Sequence, residues 1–155
     1  MLTSTDGSSL GSGLSSVSFY TVATVVSDLD EAIDWYGRVL GFAQEARGPI
    51  AEGEVALLHG AGGATLELLE CRLPEPTVRL AALFADPPLH VLPVGNKFLV
   101  FQVDDLAVAS DEFEQLGVKI LWREKELAPG WRSTAIRDMD GNLVNIFQRH
   151  DPSTG

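Results

Sequence analysis

Cysteine is almost absent from this 155-residue chain. The single thiol, Cys71, cannot form an internal disulfide or any cysteine-cluster metal centre. Basic residues are scarce as well: 11 Lys+Arg stand against 22 Asp+Glu, a net charge of -11. An acidic surface of this kind repels phosphate backbones and anionic lipids, which argues against nucleic-acid and membrane-surface binding. Nowhere does an apolar run approach the ~18 residues of a membrane-spanning helix. The first basic residue is Arg38, so the start lacks the charged opening of a secretory signal. Together with the lone thiol, this leads us to expect a cytoplasmic protein. What the chain does have is apolar residues, 45% of the total. That is too many for a disordered acidic chain and enough for a real core at this length.

Residues 1–15 are mostly Ser, Gly and Thr and read as a disordered tail. Val17–Val26, rich in Val, Thr and aromatics, reads as a strand. Asp28 then offers a helix cap, with Glu31 three residues on in capping-box spacing. Leu29, Ala32, Ile33, Tyr36 and Leu40 follow at helical spacing, and Gly41 supplies a left-handed stop. The apolar runs Glu54–His59 and Ala64–Glu70 flank a glycine-rich turn and read as a hairpin. Five of the eight prolines fall in residues 73–95, which makes that stretch a linker with room for a helical turn over Thr77–Phe84.

The pattern then recurs. Lys97–Val103 reads as a strand and Asp104-Asp105 as a cap. Leu106, Ala109, Phe113 and Leu116 form the inner face of a helix that Gly117 ends. Val118–Glu126, Trp131–Asp138 and Leu143–Arg149 read as strands, with Asp140-Gly141 as a tight turn. Val26-Ser27-Asp28-Leu29 lies 77 residues before Val103-Asp104-Asp105-Leu106, and Gly41 lies 76 before Gly117. Two copies of a βαβββ unit account for this. The expected boundaries are a tail at 1–15, a first module at 16–72, the linker at 73–95 and a second module at 96–150.

The stretch from Val26-Ser-Asp-Leu through Trp35-Tyr36 to Val39-Leu40-Gly41-Phe42 resembles the opening signature of the vicinal oxygen chelate superfamily. That group comprises glyoxalase I, bleomycin-resistance proteins and extradiol dioxygenases. Val103-Asp-Asp-Leu through Leu116-Gly117-Val118 is similar to its second-module counterpart. Trp131-Arg132, Arg137-Asp138-Met139-Asp140-Gly141-Asn142 and Gln148 are similar to its closing segment. The resemblance covers residues 17–149. It implies an α+β fold of two βαβββ modules, whose mixed sheets form open cups with the helices outside. It also implies a homodimer. A fold of this kind does not fix the chemistry.

In metal-using members, four side chains, typically His and Glu, point into the cleft from the first and last strands of each module. Carried over position by position, they fall on Thr21, Glu67, Phe98 and Asn145. A hydroxyl, a phenyl ring and an amide do not replace two imidazoles and a carboxylate. The resemblance therefore implies neither the usual metal nor another cofactor. His59, His90 and His150 fall off these positions, and their roles stay open.

Strand alternation puts Phe19, Thr21, Ala23 and Val25 on the cleft side of the first strand, and Thr65, Glu67 and Leu69 on that of the third. In the second module it selects Phe98, Val100, Asn145 and Phe147, and Trp131 falls at the mouth. The candidate ligand-binding residues are Phe19, Thr21, Ala23, Glu67, Phe98, Val100, Trp131, Asn145 and Phe147. This is an apolar lining with a few polar points, suited to a small organic molecule. Glu67 is the candidate catalytic residue: it either accepts a proton or pairs with a cation, or it is a structural carboxylate bonded to Thr21, Asn145 or water. Asn145 either orients a ligand or is a satisfied structural amide. The aromatics either stack on a ligand or fill the core.

The resemblance, weighed against these residues, implies three candidate functions. The first is metal-independent binding of an apolar or aromatic, natural-product-like ligand, as in antibiotic resistance by sequestration. The second is a metal-independent isomerase, cyclase or lyase in natural-product biosynthesis, with Glu67 as proton acceptor. The third, a metal-dependent lyase or dioxygenase, conflicts with Thr21, Phe98 and Asn145.

Overall fold

The computed structural model describes residues 14–74, 78 and 85–149. The tail through residue 13, nearly all of the Thr77–Phe84 segment and His150 lie outside them.

Both helices begin where an aspartate caps them. Asp28 Oδ1 accepts the Glu31 N–H at 2.8 Å ahead of α1 (Leu29–Leu40), and Asp105 Oδ1 accepts the Val108 N–H at 3.0 Å ahead of α2 (Leu106–Gln115). Each cap is worth about 1 kcal/mol. A second device recurs in both modules. The Leu29 N–H donates to Glu70 Oε2, and the Leu106 N–H donates to Gln148 Oε1, each at 2.8 Å. The last strand of each module thus holds the first turn of its helix. Gly41, at φ 73°, takes the left-handed conformation that ends α1.

The first module contributes β1 (Val22–Val25), β2 (Ala43–Ile50), β3 (Gly53–His59) and β4 (Thr65–Cys71), in the order β1-β4-β3-β2. The second contributes β5 (Phe98–Val103), β6 (Ile120–Ala128), β7 (Trp131–Arg137) and β8 (Leu143–Gln148), in the matching order β5-β8-β7-β6. In each sheet the first strand runs parallel to the last and the other pairings are antiparallel. The fold is therefore the expected α+β arrangement of two four-stranded mixed sheets. Gly53 permits the close approach of β3 to β4, because a Cβ there would lie 1.9 Å from the Glu70 carbonyl oxygen.

The first strand is shorter than the sequence led us to expect. A 3-10 turn spans Leu14–Ser16, and only Val22–Val25 pairs, so the aromatic stretch Phe19-Tyr20 precedes the ladder and is exposed. β2 carries no clear alternation. It is an exposed edge strand with Gly48-Pro49 in it, and Pro is tolerated only at such edges.

One core serves both modules. Leu29, Ala32 and Tyr36 of α1 pack on Ala56, Leu58, Leu66 and Leu68; Leu106, Ala109 and Phe113 of α2 pack with Ile136, Val144 and Ile146 in the same cluster. Phe42 meets Phe101 edge-on at 5.7 Å, joining the two halves. Polar ties reinforce this contact. Ser27 donates from its backbone N–H (2.8 Å) and its hydroxyl (2.5 Å) to Asp140, and Tyr36 Oη donates to Asp138. Among the described residues, no helix is long and apolar enough to cross a membrane.

Candidate functional site

Each sheet has one face covered by its helix and one face turned away from it. Register assigns the side chains. Ala23 lies beside Glu67, and Glu67 opposes Leu57, so these three share the open face of the first sheet. Leu66, Leu68, Ala56 and Leu58 point into the core. On the second sheet, Val100, Asn145, Ala135 and Trp122 form one row of the open face, and Phe98, Leu143 and Arg137 form the next. The expected face sharing is thus present for Ala23, Val25, Glu67, Phe98, Val100, Asn145 and Phe147.

The open face of the first sheet holds a cavity of about 170 Å³, walled by Tyr20, Val55, Leu57, Gly48 and Arg47, with Glu67 in its lining. The Glu67 side chain is half-buried and has no hydrogen bond or ion pair among the described residues. Neither Thr21 nor Asn145 bonds to it among the described residues. Thr21 instead directs its hydroxyl to the Val22 carbonyl at 3.4 Å. Arg47 is committed elsewhere: it pairs with Asp30 at 2.5 Å and Glu54 at 2.7 Å. Hydrogen bonding from Arg47 lowers the Glu54 pKa.

The second open face is covered. His90, from a 3-10 turn at Leu89–Val91, lies against Phe98 (ring centroids 5.6 Å) and Trp122 (5.7 Å) and is only 6% exposed. Asn145 and Ala135, on the strands between those two aromatics, are buried. Arg137 anchors the segment, donating to the Ala85 carbonyl at 3.1 Å and also to the Gly141 carbonyl at 2.7 Å. Burial, then the Arg137 and Lys125 charges, push the His90 pKa below its usual value. Further along the face, Trp131 packs on Phe147 at 6.0 Å.

Three buried polar atoms here have no hydrogen-bond partner among the described residues: His90 Nδ1, Asn145 Oδ1 and Lys97 Nζ. An orphaned buried polar atom costs about 1–3 kcal/mol, and such atoms call for an explanation in terms of function. Among the described residues, Asn145 Oδ1 is free to accept from a molecule seated on this face.

Sequence reasoning missed two residues of this face. Trp122 pairs with Ala135, whereas Ile120, two residues before it, pairs with the core residue Ile136; a bulge between the two breaks the alternation, so spacing does not give the face of Trp122. A second bulge between Trp122 and Lys125, with Glu124 at φ 48°, breaks the alternation again just beyond it. His90 lies in the proline-rich linker, where no periodicity indicates direction.

The four positions that the resemblance assigns to a metal do not form a cation site here. Glu67 belongs to the first sheet, Thr21 immediately precedes β1, Phe98 and Asn145 belong to the second sheet, and no hydrogen bond joins the two pairs among the described residues. The phenyl ring of Phe98 has no lone pair, and Glu67 is the only carboxylate among them. No group of three or more His, Cys, Asp or Glu residues is poised to hold an ion among the described residues. The donor set does not fit the ion. The remaining position, Phe19, lies outside β1 and is 82% exposed.

With this geometry in hand, the comparisons with known proteins fall into place. The family described as Glyoxalase/Bleomycin resistance protein/Dioxygenase superfamily matches residues 18–146, so the chain belongs to that superfamily. Among solved structures, it is similar to a glyoxylase/bleomycin resistance protein/dioxygenase domain from Frankia sp. EAN1pec. The TM-score is 0.67 at 23% identity, over 86% of this chain and 98% of the other. TnmS3, an antibiotic binding protein from Streptomyces sp. CB03234, matches with a TM-score of 0.61 at 22% identity, over 87% and 98% of the two chains. TioX from Micromonospora sp. ML1 matches with a TM-score of 0.59 at 22% identity, over 86% and 100%. At these identities the likeness establishes the fold. No curated protein matches the sequence.

Proposed function

We propose that this protein binds a small aromatic or apolar organic molecule without a metal, on the open faces of its sheets. The observation that carries this reading is the second face. It carries Phe98 and Trp122 across the strands on either side of a buried Asn145, whose amide oxygen has no partner among the described residues, and the Trp131–Phe147 pair further along. Aromatic walls with one placed polar group are the ordinary construction of a small-molecule site. TnmS3, a structural relative, is an antibiotic binding protein, which agrees with a natural-product ligand and resistance by sequestration. The net charge of -11 and the free Glu67 carboxylate favour a ligand carrying positive charge.

The reading includes a homodimer in a reducing, cytoplasmic setting. β1 and β5 are edge strands, and their open-face side chains Val25 (52% exposed) and Val100 (57% exposed) are left to solvent. A second copy covers such edges at little cost. Light scattering should return twice the chain mass; a monomer at micromolar concentration removes the dimer.

A thermal-shift panel of planar aromatic natural products, run with and without chelator, tests the function. A true ligand raises the melting point by mass action and is recovered chemically unchanged after long incubation. A panel without any stabilising compound, a product recovered in place of the ligand, or binding abolished by chelator would each overturn the reading.

A further inference from the structure

We propose that the second open face carries a slot for a planar aromatic group between Phe98 and Trp122, and that the chain closes this slot itself with His90, so that strap and ligand compete. The inference rests on the small-molecule reading above and adds where the ring sits and what must move.

The imidazole already behaves as such a ring. It meets Phe98 at 70° and Trp122 at 50°, both within 6 Å, and is almost wholly buried. The strap that delivers it, residues 85–92, is otherwise loosely attached. Leu89, Val91 and Leu92 are 57%, 54% and 72% exposed, so the segment leaves its apolar side chains in water. Among the described residues it is also held by the Arg137 guanidinium, on the Ala85 carbonyl and, at 3.5 Å, on Asp86.

The seated imidazole is also an imperfect occupant. His90 Nδ1 and Asn145 Oδ1 stay unpartnered in the closed arrangement, although both residues are more than nine-tenths buried. An incoming ring with an N–H or O–H on its edge can donate to Asn145, which His90 does not do. Releasing the strap returns His90 Nδ1 to water. The ligand class is therefore a planar aromatic bearing an edge donor and no positive charge, because Arg137 lies on this face and Lys125 Nζ stands 5.9 Å from the Trp122 ring centroid.

Acridone, a neutral planar tricycle with an N–H donor on its edge, is a suitable probe. Its affinity is measured for wild type, His90→Ala and His90→Phe, each first checked for folding by circular dichroism. Exchange of the amide protons at residues 89–92 is followed with and without the probe. If the strap is open about a tenth of the time, removing the latch tightens binding about tenfold. His90→Ala should show that gain, whereas His90→Phe should bind no better than wild type. Acridone should speed exchange of the strap in wild type. Equal affinity in all three proteins with an unchanged strap would overturn the slot while leaving small-molecule binding intact. If His90→Ala takes up no acridone, the slot fails. Should the natural-product panel also leave the melting point unmoved, the binding reading falls with it.

Discussion

Tyr36 Oη donates to Asp138 Oδ2 at 2.9 Å, tying the helix of the first module to the hairpin of the second. The other Asp138 oxygen accepts the backbone N–H groups of Asp140 and Asn142, at 2.9 and 2.8 Å. Ser27 grips Asp140 beside it. The two sheets therefore meet through fixed polar contacts as well as the Phe42–Phe101 pair. Replacing Tyr36 with Phe removes one donor from a buried carboxylate and leaves the packing intact. Urea denaturation should show a loss of about 1–3 kcal/mol. An unchanged midpoint would mean that the tie contributes nothing.

The same bond sets an alkaline limit. Burial, and then the Asp138 charge, raise the Tyr36 pKa far above its ordinary value of 10.0. The folded protein keeps the phenol neutral, while the unfolded chain loses the proton near pH 10. The stability from this group is complete below that pH and declines as pH rises past it. Between pH 9.5 and 11, wild type should lose more stability than Tyr36→Phe. Parallel declines would assign the alkaline loss to other groups.

Most of the fold was legible because its signals are local. Asp28, Asp105 and Gly41 act within one turn of the residues they govern, and the 77-residue repeat exposes the module plan. Alternation also gave the faces of Glu67 and Asn145. What escaped depends on contacts distant in sequence. His90 reaches Phe98 and Trp122 only because the linker folds back over the second sheet. Glu70 and Gln148 cap helices some 40 residues away through side chains whose role no spacing rule reveals. Whether a side chain is orphaned, as Asn145 Oδ1 is, depends on every neighbour at once.

The strap should respond to acid. Two cations on the packed elements act on His90, Arg137 on β7 and Lys125 on β6; Lys97, whose buried Nζ has no partner among the described residues, leads into β5. Asn145 on β8 is neutral, and Asp86 on the strap itself is exposed. Burial is the largest cause of the lowered pKa, and the two cations add to it. The closed strap thus holds a neutral imidazole, and the open one takes up a proton more readily. Closure is complete above about pH 6.5, the ordinary histidine value, and weakens as pH falls through the depressed one. Amide exchange at residues 89–92, corrected for intrinsic rates, should rise from pH 7.5 to 5.5 in wild type and stay flat in His90→Phe. An equal rise in both proteins would place the titrating group elsewhere.

Glu67 decides between binding and catalysis. Its carboxylate lines the first cavity without a partner, so its charge is available to a ligand. The cavity is open to solvent, which limits a single ion pair there to about 0.5–1 kcal/mol, or a two- to fivefold change in affinity. Glu67→Gln should weaken binding of a cationic aromatic by that factor and leave its neutral analogue unaffected. The difference should shrink as salt is raised, because screening acts on exposed pairs first. A proton-transfer role makes the opposite demand: the variant would bind both compounds normally yet lose turnover by a hundredfold or more. Equilibrium titration of the matched pair at two salt concentrations, with product analysis of each mixture, separates the two outcomes.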